Sequence, residues 1–357
     1  MAYGQYWSTP EEESSIRVTL KPSGHAYECE AGKSILQAGL DAGRMLPYSC
    51  RAGVCRTCRG TILEGKVDYG RVHDTYLPPS DKAKGYALLC QATPLTNLVV
   101  EVREVQGVRP RLIPCRVERL DKLAPDVAVI GLRLPMNENF RFLAGQYIDL
   151  LLKDGKRRSY SIGTRPDPGG VTAIEIHVRH TPGGLFTDHV FSNLKVRELL
   201  RFEGPLGSFY LREESDKPII MVASGTGFAP IKAMCEYALE KKLEQKRPIT
   251  LYWGCRAKRD LYMLDLPRSW QRPGFKFVPV LSEPTPQCEW SQCTGFVHRQ
   301  VMQDSPDMSG VQVYACGAPV MVEAARRDFS ARCGLPADEF YADSFLTEAD
   351  KASASTA

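Results

Sequence analysis

The sequence predicts a multidomain fold of three parts in series: a small β-rich unit, an antiparallel β-barrel, and an α/β doubly wound domain. Three observations predict it. Cys50, Cys55 and Cys58 form a tight group inside a segment of short strands. Beyond them, apolar segments recur at regular spacing with Gly and Pro between, the pattern of antiparallel barrels. After Asp216, apolar strands alternate with helix-like stretches, which implies a parallel sheet. The 357 residues suffice for two or three compact domains.

Taken in order, the first domain covers residues 1–103, with two short strands around Gly24, a helix over 34–42, the cysteine loop, and a closing strand over 97–102. Residues 104–113 carry Gly107 and Pro110 among polar residues and suit a connector. The second domain, 114–213, has strand-like segments at 127–134, 146–152 and 173–178. The third, 214–348, alternates strand 218–222, helix 229–241, strand 249–253, and strand 311–315 before another helix. Residues 349–357 are a small polar tail.

Composition excludes some partners. The formal charge of +4 is small for this length and shows no block of like charges, so neither nucleic acid nor a membrane surface is expected to bind. The start has no basic region leading into an apolar one, and no run of about 18 apolar residues occurs, so the expected location is cytoplasmic. Twelve cysteines in such a chain read as reduced thiols, some bound to metal.

Cys50-Arg-Ala-Gly-Val-Cys55-Arg-Thr-Cys58, with Cys90 after a further 31 residues, has Cys-x4-Cys-x2-Cys…Cys spacing. Four thiolates suit two irons. Three on one loop let backbone amides point at the sulfurs while the fourth arrives from afar. The alternatives are four buried cysteines or zinc, although structural zinc usually takes paired knuckles rather than three cysteines plus one. The stretch resembles plant-type 2Fe-2S ferredoxins over roughly residues 16–103, which implies a β-grasp domain with these four cysteines as cluster ligands. It departs at Arg56, where that family often has glycine, and Arg51 and Arg59 lie nearby. Positive charge there favours the reduced cluster. With 12 Lys/Arg against 11 Asp/Glu in residues 1–103, docking through a strongly acidic face is not expected.

In the barrel segment, Arg158-Ser-Tyr160-Ser161 resembles the Arg-x-Tyr-Ser signature of the ferredoxin-NADP reductase superfamily. An arginine suits a flavin phosphate, a tyrosine offers a flat face to the ring system, and a serine hydroxyl can reach the nitrogen that receives hydride. Ala144-Gly145-Gln146-Tyr147 precedes it as in the family, and Gly183-Gly184-Leu-Phe186-Thr187 follows. A glycine turn opening a helix leaves backbone N–H groups for the flavin pyrophosphate. The plainer reading is a glycine loop with Thr187 as N-cap. His177 and Arg179, on the preceding strand, are candidates for the adenine side, with an ordinary polar strand role as the alternative, and Val178 between them is a further candidate for cofactor binding.

The segment Ala223-Ser224-Gly225-Thr226-Gly227-Phe228-Ala229-Pro230 ends a strand and resembles the superfamily's pyridine-nucleotide loop. Cys316-Gly317 ends another strand. In the family this pair borders the nicotinamide, although a buried cysteine can also be a small hydrophobe. Tyr252-Trp253 is either a further family element or core. Ser282-Glu283 stands where NADPH-selective members tend to have Ser-Arg, and a carboxylate there repels a 2'-phosphate, which favours NADH over NADPH. Phe345, in Asp343-Ser344-Phe345, resembles the terminal aromatic residue that covers the flavin until nicotinamide displaces it, and a packed core phenylalanine is the alternative.

Cluster, flavin and nicotinamide motifs in this order resemble the reductase components of bacterial Rieske dioxygenases and diiron monooxygenases, over about residues 16–348. Individual segments are also similar to CDP-6-deoxy-glucoseen reductases. Both resemblances imply an enzyme that uses FAD, a 2Fe-2S cluster and NADH, with Tyr160, Ser161, Cys316 and Phe345 around the reacting atoms. They differ in the acceptor: a terminal oxygenase acting on an aromatic compound, or a ferredoxin-like acceptor, against a deoxysugar enzyme. A two-electron hydride donor cannot serve a one-electron acceptor directly, and a flavin bridges the two.

Overall fold

The computed structural model describes residues 15–105 and 108–346, and these two stretches are two compact units. The polar tail expected over residues 349–357 lies outside the described residues.

In the first unit, β1 (Ile16–Lys21) turns at Gly24 into β2 (Ala26–Cys29), and α1 (Ile35–Asp41) follows. Ser34 caps α1 by accepting from the Gln37 amide at 3.2 Å, while Ile35, Leu36 and Ala38 face inward. Beyond the cysteine loop come β3 (Arg59–Glu64), β4 (Tyr86–Leu88) and β5 (Leu98–Glu101). The sheet order is β2-β1-β5-β3-β4, with β1 and β5 parallel and the other pairs antiparallel. One helix held across a small mixed sheet is the β-grasp arrangement. Val18, Leu20 and Val100 alternate into its core.

The connector is shorter than its sequence suggests. Glu104 bonds to His25 at 2.6 Å, and the Val105 amide donates to Met45, so both belong to the first unit. Arg111, Leu112 and Ile113 pair with Gly204, Glu203 and Phe202 in the barrel. A segment polar enough to read as a linker is here an edge of ordered structure.

The second unit opens with six antiparallel strands: β6 (Arg111–Ala124), β7 (Val127–Arg133), β8 (Tyr147–Leu151), β9 (Arg157–Ser161), β10 (Ala173–Arg179) and, after α2 (Leu185–Ser192), β11 (Leu199–Leu206). Their order is β9-β8-β11-β6-β7-β10, and an antiparallel bridge between Ile162 and Ile176 joins the two ends. The bridge closes a barrel around Val117, Ile130, Leu132, Ile148 and Phe202.

The remainder is a parallel sheet, β12 (Ile219–Ser224), β13 (Ile249–Cys255), β14 (Phe275–Leu281), β15 (Cys293–Thr294), β16 (Gln312–Gly317) and β17 (Phe340–Ser344), in the order β15-β14-β13-β12-β16-β17. Its helices include α3 (Phe228–Glu240), α4 (Val297–Asp304) and α5 (Pro319–Cys333). Chain order reverses between β12 and β16, which opens a crevice at their carboxyl ends. Barrel residues Val127, Val129, Ala144 and Phe209 share one apolar core with Phe228, Met234 and Trp253, which is why barrel and parallel sheet form a single unit.

Candidate functional site

The cysteine loop is wound by left-handed residues: Arg51 (φ 53°), Gly53 (φ 73°) and Arg56 (φ 63°). This winding turns the amides of Ala52 and Cys55 onto the Cys50 sulfur, both at 3.4 Å. Gln91 ties the distant segment in by donating to the Arg51 carbonyl at 3.0 Å, and a side-chain carbon on Gly53 would stand 2.9 Å from Gln91 Cγ. Cys55, Cys58 and Cys90 are buried; Cys50 is nearer the surface. The four sulfurs influence one another: Cys58 feels Cys90, Cys55 and Cys50, and these neighbours together with burial hold the Cys50 and Cys58 thiols well above their ordinary range. The bond from Cys50 draws the Cys55 thiol down to about 5, and the bond from Cys58 lowers that of Cys90. Among the described residues, no three His, Cys, Asp or Glu side chains converge as ligands of one ion. Three thiols on one loop whose amides meet the Cys50 sulfur, with a fourth from a distant segment, suit a 2Fe-2S cluster rather than the paired knuckles of structural zinc.

The positive φ of Arg56 gives the physical reason for glycine at this place in the resembling family. Here arginine occupies it, with its guanidinium donating to the Thr75 carbonyl. Arg51 lies over the Tyr48 ring and Arg59 over the Tyr86 ring, at 4.5 and 4.4 Å.

On the barrel, β9 carries Arg158 and Tyr160 half-buried and Ser161 buried. Its register against β8 places Tyr147 opposite Ser161, so two of the expected flavin segments are cross-strand neighbours. The Tyr160 ring lies 5.5 Å from that of Phe186, and burial pushes its hydroxyl pKa up. Gly183 (φ 79°) makes the turn, and Gly184 is the N-cap of α2 with no side-chain cap, which leaves first-turn amides for an anion. Thr187 is not the N-cap. It stands inside the helix and donates to the Thr181 carbonyl at 2.8 Å. Arg158 donates to the Arg157 carbonyl.

In the crevice, Gly225–Gly227 is a single 3-10 turn between β12 and α3, with Thr226 and Pro230 buried. A side-chain carbon on Gly227 would fall 2.2 Å from the Cys316 carbonyl oxygen, and one on Gly317 (φ 137°) 2.2 Å from Ser224 Oγ. Ser224 Oγ also accepts from the Ala318 amide at 2.9 Å. The two strand-end loops therefore interlock, and their glycines are what permit it. Trp253 belongs to the same construction: it stacks on Phe228 at 3.9 Å and donates to the Gly225 carbonyl at 3.1 Å. Cys316 is fully buried, and burial pushes its thiol pKa well up. The Phe345 amide donates to Gly317 at 2.9 Å, and its ring packs on the apolar cluster that contains Cys316. Ser282 and Glu283 follow β14 directly and bond to the Cys255 and Arg256 carbonyls, each at 2.9 Å; Glu283 is exposed.

Four of the expected residues have side-chain partners or packing of their own. The Gln146 amide is spent on the backbone, accepting from Leu143 and donating to Gly207 at 2.8 and 2.9 Å. Gly145 (φ 111°) is needed for packing, since a side-chain carbon would stand 2.3 Å from Met234 Cε. Val178 points into the barrel core, because its place on a two-residue repeat puts it on the inner face. His177 is sealed between Tyr262, 2.7 Å from Nδ1, and Glu175, 2.9 Å from Nε2, so neither ring nitrogen is open to a ligand.

Sequence reasoning missed the partners of that histidine. Lys232 reaches from α3 to the Gly163 carbonyl at 2.9 Å and lies 3.3 Å from Glu175, whose other oxygen takes Arg119 at 2.6 Å. The available signal was a lone charge in the apolar run Ala229 to Cys235.

Three family descriptions match in series: "2Fe-2S iron-sulfur cluster binding domain" over residues 18–95, "Oxidoreductase FAD-binding domain" over 114–210, and "Oxidoreductase NAD-binding domain" over 221–327. The chain is 38% identical to the CDP-6-deoxy-L-threo-D-glycero-4-hexulose-3-dehydrase reductase of Yersinia pestis, across 93% of this chain and 99% of that one. It is 33% identical to terephthalate 1,2-dioxygenase reductase component 2 of Comamonas, across 93% and 97%. Among solved structures, the Amycolatopsis cytochrome P450 reductase GcoB matches at 32% identity and a TM-score of 0.74, over 93% of this chain and 99% of that one.

Proposed function

This chain belongs to the family of FAD-dependent, 2Fe-2S oxidoreductases that serve as reductase components, and from that premise we propose that it passes electrons from NADH to a separate acceptor protein. The observation that carries the reading is the cysteine loop, wound so that the Ala52 and Cys55 amides meet the Cys50 sulfur and tied by Gln91 to the segment that brings Cys90. A second redox site beside FAD-binding and NAD-binding domains is accounted for by a need for one-electron delivery. Bound FAD exchanges one hydride for two single electrons, and a bound cluster carries one at a time.

The residues supply position and electrostatics. Cys50, Cys55, Cys58 and Cys90 would hold the irons, with the Ala52 and Cys55 amides supporting the Cys50 sulfur. Tyr160 gives the flavin ring a flat, half-buried face, Ser161 a hydroxyl, and the uncapped start of α2 a seat for phosphate. The turn Gly225–Gly227 lets a second pyrophosphate approach α3, and Cys316 and Phe345 border the nicotinamide position. Glu283, exposed beside the end of β13, supports NADH: its carboxylate repels a 2'-phosphate and accepts from a free hydroxyl. No proton transfer by the protein is required for hydride transfer.

For the acceptor, a terminal oxygenase acting on an aromatic compound is supported by the range of relatives, which include a phenol 2-monooxygenase reductase and an aromatic O-demethylase reductase. A CDP-hexulose dehydrase is supported by the higher identity, 38% against 33% over the same share of the chain. The holoprotein with NADH should sustain turnover of one of them, read as hydroxylated aromatic acid or as deoxygenated CDP-sugar. NADH oxidation that reduces neither kind of protein would overturn the reading.

A further inference from the structure

The strand that carries Tyr160 and Ser161 is an edge. Over Arg157–Ser161, β9 has only β8 beside it, and the barrel closes just beyond, at the bridge between Ile162 and Ile176. What holds that seam also sets where Tyr160 and Ser161 stand. Gly163, two residues past Ser161, is gripped on three sides. Its amide donates to the Glu175 carbonyl at 2.7 Å, its carbonyl accepts from Lys232 Nζ at 2.9 Å, and its α-carbon lies so near His177 that a side-chain carbon would stand 2.9 Å from Nε2.

Lys232 comes from the other half of the unit. It stands one turn into α3, the helix that begins at the turn Gly225–Gly227, and it is 7% exposed. Its ammonium is also 3.0 Å from Glu236 and 3.3 Å from Glu175. Glu175 in turn meets His177 and Arg119, and His177 meets Tyr262, which lies between β13 and β14. A buried lysine serving apolar packing alone would be replaced by an aliphatic residue at no loss. This one, besides its two carboxylate partners, donates to a backbone carbonyl across the joint between the nucleotide helix and the flavin-facing strand.

We propose that Lys232 is a positioning residue that braces the flavin-facing strand from the nucleotide helix: through Gly163 it fixes the end of β9 and so the placement of Tyr160 and Ser161. The proposal rests on the reading that those two residues face the flavin. Rigid helices transmit displacement along their length, and a misplacement of about 1 Å at a reacting group can cost 100-fold in rate.

The test uses the holoprotein with three substitutions. Lys232→Met keeps length and loses charge, Lys232→Arg keeps charge, and Gly163→Ala disturbs the same peptide without touching the ammonium. In the absence of NADH, Lys232→Met should shift the visible bands of bound FAD and weaken FAD retention by about 10-fold, read by fluorescence of released flavin. In stopped-flow reduction, its limiting rate should fall by about 10- to 100-fold while the NADH concentration at half-saturation changes less than threefold. Gly163→Ala should reproduce the band shift and the slow reduction, and Lys232→Arg should recover most of both. A Lys232→Met protein that melts earlier yet keeps the wild-type flavin spectrum and reduction rate would show the lysine to be structural only and overturn the proposal. If Lys232→Met does not fold, Gly163→Ala with an unchanged spectrum and rate overturns it equally. Failure of NADH to reduce wild-type FAD would instead sink the underlying functional reading.

Discussion

The cysteine loop and the nucleotide crevice solve the same problem, holding a redox group, by opposite means. The first is local. Three of its four sulfurs lie within nine residues, and its backbone, through Arg51, Gly53 and Arg56 in left-handed conformations, aims the amides. The crevice is assembled from the ends of β12, β14 and β16 and the segment after β17, and it depends on glycines that let Gly227 meet Cys316 and Gly317 meet Ser224. A local site keeps its geometry when distant residues change. An assembled one transmits every change in packing to its chemistry.

Breaking one site and sparing the other tests this contrast, beginning with the largest effect. Cys55→Ser should abolish transfer to any one-electron acceptor, by about 1,000-fold or more, because it removes a ligand. NADH reduction of FAD should stay within about twofold of wild type, since the ligand lies in the other unit; stopped-flow absorbance separates the two steps. Gly227→Ala should do the reverse. Its side chain would overlap the Cys316 carbonyl, so flavin reduction should slow by about 100-fold while the visible circular dichroism of the cluster is unchanged. Glu283→Arg should move the ratio of kcat/KM for NADPH over NADH upward by about 10-fold, without altering flavin reduction at saturating NADH. Arg56→Gly should have the smallest effect on stability. Relief of a left-handed arginine, worth about 1 kcal/mol, is offset by loss of its bond to Thr75, worth about the same. Its signature should be a more negative cluster potential, because a positive charge that favours the reduced form is gone.

A pH series sharpens the contrast within the second unit. Burial raises the Glu175 pKa, yet the bonds from His177 and the charge of Lys232 outweigh it and hold the carboxyl at about 2. Burial keeps the His177 pKa below its ordinary value, against the pull of Glu175. Both folded-state values are depressed, so the stability they contribute is present above the unfolded values, about 6.5 for histidine and 4.5 for glutamate, and is lost as pH falls below them. The melting temperature of this unit should decline from about pH 6.5 to pH 2, measured by FAD release on heating.

The contrast also explains what was legible in the sequence. The grouping of Cys50, Cys55 and Cys58 on one loop could be read from spacing, because it is written contiguously, and Cys90 follows only from the resemblance to ferredoxins. Strands such as Ala173–Arg179 and helix Phe228–Glu240 followed from apolar periodicity. The side-chain roles of Gln146, His177 and Val178 did not follow, since hydrogen bonds to Gly207 and Tyr262 join residues 61 and 85 positions apart. Lys232 was passed over for the same reason: its partner Gly163 lies 69 residues away, across a joint that pattern does not display. The connector ends sooner than its polarity suggests, since Arg111–Ile113, with Arg111 and Leu112 exposed, already pair with β11 as the start of barrel strand β6.

The central claim is that hydride enters at the crevice and electrons leave singly through the cysteine loop. An anaerobic titration of the FAD- and cluster-loaded protein with NADH tests it most directly. Three electrons fill the two centres, so about 1.5 equivalents of NADH should bleach the flavin and then reduce the cluster, seen as loss of flavin absorbance and appearance of the paramagnetic signal of a reduced 2Fe-2S centre. A flavin that bleaches while the cluster stays oxidised, at any excess of NADH, would contradict the account.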